Sequence, residues 1–312
     1  MSLHTEKLCI IHDAEPDDAI ALMQVANYVK KQGINPTNVC IVSTLRNPVE
    51  SVTITQRILD NCAIHFRLLV GRPGLKAEYG MISKEFYLPS KDFGNMEEFV
   101  KFVNDPHKRT NILLLAPAWD FTPELLAKLQ PERIASIWNW GGVDFSCEDT
   151  LPTRDFRYKI TTPSNSFNWR ADEKESTTLN LLKWCQTHKI KCRVATPTIY
   201  LRSIGTKGIN ESKHQQILER FHTKPHLKFL KEWMFKWNEM MPAYIQKRLG
   251  IVPGKLQFMP ADSVATTLFL HPDLIDAPTI PFYIEGDECC ACTASQISSL
   301  DFIVSIDCPR FL

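Results

Sequence analysis

Apolar residues along the chain fall into short continuous runs, separated by longer segments in which they recur at helical spacing. Leu8-Cys9-Ile10-Ile11, Val39-Cys40-Ile41-Val42-Ser43, Phe66-Arg67-Leu68-Leu69-Val70, 111–115, 134–138 and Arg193-Val194-Ala195-Thr196 read as buried strands. Helices are predicted over 19–31, 48–61, 96–104, 123–129, 173–187, 226–249 and 263–269. Strands that alternate with helices build βαβ units. The expected fold is therefore α/β, a Rossmann-like open, mostly parallel sheet flanked by helices. Gly71-Arg72-Pro73-Gly74 breaks the third strand, 75–93 reads as an irregular surface excursion and 143–158 as a polar, irregular stretch. From Phe282 onward, short strand-like runs alternate with turns. The absence of internal repeats, low-complexity tracts and linkers predicts one continuous domain over residues 1–312.

Four carboxylates fall within six residues on the first strand-to-helix turn, His12-Asp13-Ala14-Glu15-Pro16-Asp17-Asp18. Such turns lie at the carboxyl ends of strands, where open α/β sheets bind ligands. Two readings stand side by side. Acidic residues complement a helix N-terminus, with Glu15 as cap and Pro16 in the first turn. Alternatively, the mutual repulsion of the acids is relieved by a hard divalent cation with oxygen ligands.

Composition narrows the classes. Of 312 residues, 44% are hydrophobic and 23% charged, as in ordinary globular proteins. A formal net charge of +1 gives no electrostatic case for nucleic acid or an anionic membrane, and neither is an expected partner. No apolar run approaches the roughly 20 residues that span a bilayer, and Met1 to Lys7 lacks a signal-peptide core, so a cytoplasmic location is expected. The ten cysteines lie mostly in apolar runs. The Cys289-Cys290-Ala291-Cys292 cluster has no second pair at zinc-site spacing and is read as structural.

Several stretches, in order, resemble one family, the calcium-dependent nucleoside hydrolases of the inosine-uridine preferring type. Asp13, Asp17 and Asp18 keep the spacing of that family's N-terminal acidic signature, although Ala14-Glu15 replaces its Pro-Gly and Ile11 an earlier Asp. Ala116-Pro117-Ala118-Trp119-Asp120 resembles its Gly-Pro-Leu-Thr-Asn turn. Ser166-Phe167-Asn168, with Asp172 beyond, resembles Glu-Phe-Asn. Pro260-Ala261-Asp262 is similar to its second calcium aspartate segment, Gly141-Gly142 to its paired glycines and Asp307 to Phe311 to its last strand.

The resemblance covers nearly the whole chain and implies the nucleoside hydrolase fold. It also implies Ca²⁺ held by Asp13, Asp18, Asp262 and the Trp119 carbonyl, with Asp13 the catalytic base for an attacking water. Asp17 and Asn168 would bind ribose hydroxyls, Ser166 would stand at the 5′ side and Trp169 would line the substrate. The implied ligand is a small-molecule nucleoside or related N-riboside, and the implied assembly a homo-oligomer, dimer or tetramer. Two departures bear on chemistry: Ser166 replaces a Glu that reaches the 5′-hydroxyl, and Ala261 replaces a His that is a candidate acid for the leaving base. Leaving-group activation must then come from another acid, from a base already carrying charge, or from stacking on Trp119, Trp169, Trp233, Trp237 or Tyr79. That favours a purine or cationic base over uracil. The competing expectation is a family member that binds Ca²⁺ and a ribosyl ligand without turnover. A haloacid-dehalogenase phosphatase is disfavoured, because Asp13-Ala14-Glu15 lacks the second Asp of its motif. A dinucleotide-binding protein is disfavoured because no Gly-rich fingerprint follows a strand.

Overall fold

β1 (Lys7–His12) is buried along its whole length, and its alternate side chains feed two cores on opposite faces of one sheet. Leu8 and Ile10 pack with α1 (Pro16–Lys31), α2 (Pro48–Asn61) and α7 (Ala261–Leu270). Cys9 and Ile11 join the other core, to which α3 (Met96–Val103) and α6 (Thr177–Thr187) contribute. A strand buried on both faces must be apolar at every position, which is why it reads as a continuous run. The computed structural model describes residues 4–45, 47–74, 93–143, 156–160, 167–170, 176–196, 198–199, 261–275, 279–293 and 296–304. The expected excursion over 75–92, the aromatic helix over 226–249, Ser166, Asp172 and the closing stretch at Asp307 lie outside them.

The remaining strands are β2 (Val39–Leu45), β3 (Arg67–Pro73), β4 (Thr110–Leu114), β5 (Ile134–Trp140), β6 (Arg157–Lys159), β7 (Cys192–Ala195), β8 (Ile280–Glu285), β9 (Glu288–Ala291) and β10 (Leu300–Ile303). They form one sheet in the order β3-β2-β1-β4-β5-β7-β10-β8-β9-β6. The first seven in that order run parallel, with Ile10 level with Ile41 on one side and Leu113 on the other. β8, β9 and β6 continue the sheet antiparallel. Strand order reverses between β2 and β4 about β1, so the turns after β1 and β4 flank a topological switch point. The fold is thus a mostly parallel open sheet between helices, as expected. Among the described residues, no helix is long and apolar enough to cross a membrane.

Three local expectations are corrected. β3 continues through Gly71, Arg72 and Pro73, where the sequence reads as broken. It is the edge strand, where a proline costs no ladder hydrogen bond, and Pro73 lies level with Leu45 beyond a register shift. β6 begins at the end of the stretch read as irregular, 143–158; among the described residues it pairs with β9 alone, and Arg157 bridges Glu285 of β8 and Glu288 of β9. The helix expected over 123–129 is only α4 (Pro123–Leu126), capped by the Thr122 hydroxyl on the Leu125 amide. α5 (Phe167–Arg170) is a single turn set apart from α6.

Candidate functional site

The carboxyl ends of β1, β4 and β5 meet the N-termini of α1 and α7 along one edge of the sheet. α1 and α7 lie side by side, tied by Gln24 Nε2 donating to Thr267 Oγ1 at 3.2 Å, so their first turns sit together. This brings Asp13, Asp17 and Asp18 beside Asp262, 245 positions beyond Asp17. All four are at most 5% exposed. Charged groups buried this deeply are normally paired, and these face one another.

The capping reading of the acidic turn holds in part. Asp18 Oδ2 accepts a hydrogen bond from the Glu15 amide at 2.7 Å, which is a helix cap. The Asp262 amide, at the first turn of α7, donates to Asp17 Oδ2 at 3.3 Å. Capping leaves Asp17 Oδ1 and Asp18 Oδ1 buried with no hydrogen-bond partner among the described residues. Burial pushes the Asp17 carboxyl well above the usual carboxylate range, helped by the charges of Glu15 and Asp18. Burial likewise drives Asp262 far up, with Asp17, Asp18 and Asp13 adding repulsion. Burial acts to raise Asp18 too, but its interactions with His12, Asp262 and the Glu15 amide hold it below the ordinary value. Asp18 is thus pushed down while Asp17 and Asp262 are pushed up, as expected of like charges forced together. Ala14, between Asp13 and Asp17 in sequence, adopts a left-handed φ of 63°, an uncommon backbone for a residue other than glycine.

Two residues that the sequence reading passed over support this edge. His12 Nε2 lies 2.9 Å from both the Ser43 and Thr55 hydroxyls, while Nδ1 accepts from the Ala14 amide at 3.2 Å and lies 3.8 Å from Asp18 Oδ2. The imidazole thus links β1, β2 and α2 to the acidic turn. Asp120 is buried, its carboxyl raised by desolvation against the lowering contacts of Thr44 and Arg72. Its Oδ1 accepts from the Arg72 amide at 2.6 Å.

Asn168 spans the neighbouring strand ends. Its Nδ2 donates to the carbonyls of Leu115 at 2.7 Å and Trp140 at 3.0 Å. With both amide protons engaged, Asn168 has only its Oδ1 to offer, an acceptor suited to a hydroxyl. The expectation that Trp169 faces substrate is corrected. It is 1% exposed, its Nε1 donates to Asn139 Oδ1 at 2.8 Å and its ring packs against Phe302, so it is core. A side chain at Gly141 would collide with this indole, with Cβ only 2.6 Å from Trp169 Cδ1; the neighbouring Gly142 needs its φ of 89°. The double glycine serves this packing.

The residues fit a hard divalent cation in charge and in donor type. Clustered buried carboxylates, two oxygens of which lack partners, are what such an ion satisfies. Among the described residues, however, no three acidic, imidazole or thiol groups converge as a ligand set. The Trp119 carbonyl is also taken, because the Arg72 guanidinium donates to it at 2.5 Å. The structure therefore brings the four aspartates and Asn168 to one edge of the sheet, and turns the Trp119 carbonyl to an internal cation.

No protein-family model matches the chain, and no curated protein matches it in sequence. Solved structures do. An inosine-uridine preferring nucleoside hydrolase from Bacillus anthracis aligns with a TM-score of 0.65 at 12% identity, over 98% of this chain and 96% of that one. An inosine-guanosine nucleoside hydrolase aligns at 0.62 and 15% identity, over 98% and 96%. A purine-preferring ribonucleoside hydrolase from Gardnerella vaginalis aligns at 0.61 and 15%, over 98% and 95%. The fold is similar to that of these nucleoside hydrolases.

Proposed function

We propose that this chain is an N-ribohydrolase that cleaves the N-glycosidic bond of a ribonucleoside or related N-riboside. The observation that carries the reading is the set of buried carboxylates at the switch-point edge, with Asp17 Oδ1 and Asp18 Oδ1 lacking hydrogen-bond partners among the described residues. Burying such groups costs stability unless a ligand uses them. The similarity to structures named for inosine, guanosine, uridine or purine ribonucleosides supports the substrate class.

In this reading Asp13, Asp18 and Asp262 would hold Ca²⁺. Bound there, the ion supplies Lewis acidity that makes a water a usable nucleophile at neutral pH. Asp13 accepts that water's proton as its oxygen attacks the anomeric carbon. The electron pair of the breaking C–N bond leaves with the base, through an oxocarbenium-like transition state. Asp17 and the Asn168 Oδ1 accept hydrogen bonds from ribose hydroxyls, contacts that strengthen as the ring becomes positive. Ala261, the first residue of α7, has no proton to give the leaving base. A purine, whose ring nitrogens accept a proton from solvent, suits this better than uracil.

A second reading, a calcium- and riboside-binding protein without turnover, is favoured by Ala261, where no proton is available for the leaving base. A panel of nucleosides assayed for ribose release, with and without chelator and again with Asp13→Asn, separates the two. Ribose release that disappears on chelation and in the variant supports hydrolysis. Ligand binding with no release from any nucleoside supports the second reading. Uridine turned over as fast as inosine would refute the purine preference.

A further inference from the structure

His12, the last residue of β1, is 1% exposed and closes the acidic turn upon itself. Its Nδ1 accepts from the Ala14 amide, two residues on, at 3.2 Å, so this hydrogen bond spans Asp13 and fixes the peptide that follows it. The ring is held from behind. Nε2 lies 2.9 Å from Thr55 Oγ1, whose own proton goes to the Ser51 carbonyl at 3.0 Å, and 2.9 Å from Ser43 Oγ. A ring nitrogen that accepts from an amide carries no proton, so Nε2 bears it and donates into this pair of hydroxyls. The next amide of the turn, that of Glu15, goes to Asp18 Oδ2 at 2.7 Å, and that oxygen lies 3.8 Å from Nδ1. Two successive amides are thus clamped by two adjoining side chains. Between them Ala14 keeps its left-handed φ of 63°, which a residue with a side chain holds only where its surroundings over-determine it. Ala14 stands where the resembling family signature has proline, which has no N–H to give and a fixed negative φ, so the clamp is this chain's own.

We infer that His12 is a positioning residue for Asp13: by holding the Ala14 amide it sets the direction in which the Asp13 carboxylate leaves the strand. The inference rests on the proposed role of Asp13 as the base. With the clamp in place, the main chain is fixed on both sides of Asp13, by the β1 ladder before it and by the imidazole after it. Without the clamp, nothing in the ring opposes the return of Ala14 to an ordinary negative φ. The Asp13–Ala14 peptide then turns, and the Asp13 carboxylate moves with it relative to Asp262, whose titration it influences. A base must stand within hydrogen-bond reach of the proton it takes, so a displacement of about 1 Å costs about 10²-fold in the chemical step. Asn168 hangs instead from the Leu115 and Trp140 carbonyls and does not depend on this peptide. The loss therefore belongs to kcat rather than to KM.

Two substitutions separate the acceptor from the rest of the ring. His12→Phe keeps the flat ring and removes the acceptor. His12→Asn supplies a carboxamide oxygen that takes the same amide two residues on, as in an Asx turn. In the full chain, hydrogen exchange at the Ala14 amide is expected to be slow in the parent and in His12→Asn, and fast in His12→Phe, a readout that needs no turnover. In nucleoside assays, His12→Phe is expected to lower kcat by about 10²-fold with KM close to the parent's, and His12→Asn to recover most of that loss. Ala14→Gly added to His12→Phe is expected to recover part of it, because glycine enters the left-handed region without penalty. If His12→Phe fails to fold, His12→Gln, whose longer carboxamide reaches the Ser43 and Thr55 hydroxyls instead of the Ala14 amide, is expected to show the same loss. Equal exchange of the Ala14 amide in parent and His12→Phe overturns the inference, as does a His12→Asn variant no more active than His12→Phe, or a change in KM alone. Each of these leaves the proposed function standing while the parent releases ribose. No ribose release by the parent overturns the proposed function, and with it the role of Asp13 that His12 is inferred to serve.

Discussion

The two edges of the parallel sheet treat buried polar groups in opposite ways. Where the strands begin, several such groups are paired with one another, although the buried Thr110 hydroxyl has no hydrogen-bond partner among the described residues. Lys7 bridges Asp105 and donates to the Phe102 carbonyl at 3.1 Å. Asn111 donates to Glu6 at 2.8 Å and accepts from the Ser136 hydroxyl at 2.7 Å, which itself accepts from Trp138 Nε1 at 3.1 Å. Where the strands end, aspartates are buried against aspartates, and two of their oxygens find no hydrogen-bond partner among the described residues. A folded chain tolerates unpaired buried carboxylates only when something outside the polypeptide completes them or when the rest of the fold offsets their cost. The first edge holds the sheet; the second carries the aspartates on which the proposed function rests.

The largest effect that can break this comparison is on chemistry. Asp13→Asn keeps the shape of the side chain and removes its capacity to take a proton, and ribose release is expected to fall by about 10²–10⁴-fold. Thermal melting of the variant should stay close to that of the parent. Activity retained within tenfold would mean that the second edge is no catalytic site. Next comes Trp169, which lies beneath the site edge without belonging to it. Trp169→Ala is expected to destabilise the fold by about 3–5 kcal/mol in denaturant unfolding, as truncation of a buried aromatic does. Trp169→Phe should keep most of that stability and leave the Michaelis constant for nucleoside unchanged. A selective rise in that constant would restore Trp169 to the substrate surface.

The two edges should then respond to neutral substitution with opposite signs. Asn111→Ala strips Glu6 and Ser136 of a partner and is expected to destabilise by about 1–3 kcal/mol. Asp17→Asn, measured with chelator present, removes one charge from a repelling buried set and keeps an oxygen for the Asp262 amide. It is expected to stabilise by about 1 kcal/mol, while abolishing any stabilisation by a riboside that its carboxylate binds. Destabilisation by both would show that the acids are paired after all.

Much of this contrast was legible in the sequence, though unevenly. The helix over 48–61 is found at its expected bounds, because Asn47 caps it and Pro48 opens it. The inner strands were legible as well, since burial on both faces leaves no room for polar residues. The gathering of Asp13, Asp17 and Asp18 onto one edge follows from their place on the turn between β1 and α1, and Asp262 joins them from the first turn of α7. Arg72 was not legible. It lies beside Gly71 and Pro73, which look like a break, and its partners Trp119 and Asp120 are reached only through the register of β3 against β2. His12 next to Asp13 was visible as a residue type, but Ser43 and Thr55 become its partners only in the folded chain. Trp169 shows the converse: an aromatic beside Asn168 reads as a candidate stacker, and Gly141 and Phe302 show that it packs in the core.

The smallest effect sharpens the first edge. The hydrogen bond and charge of Lys7, with the His107 amide, hold the Asp105 carboxyl below the ordinary carboxylate range. A depressed folded-state value means that ionised Asp105 stabilises the fold above its unfolded titration point. That contribution is lost as the pH falls through the folded value, so it belongs to the acid side of the stability profile. Asp105 is partly exposed, so solvent and salt screen the pair and the contribution is expected to stay below about 1 kcal/mol. In a pH series of denaturant melts, Asp105→Asn should lie slightly below the parent at neutral pH and converge with it in acid. The gap should also narrow in high salt. A gap that instead widened toward acid would show that Lys7 is held by the Phe102 carbonyl and ring rather than by charge, and that the paired edge owes its stability to packing.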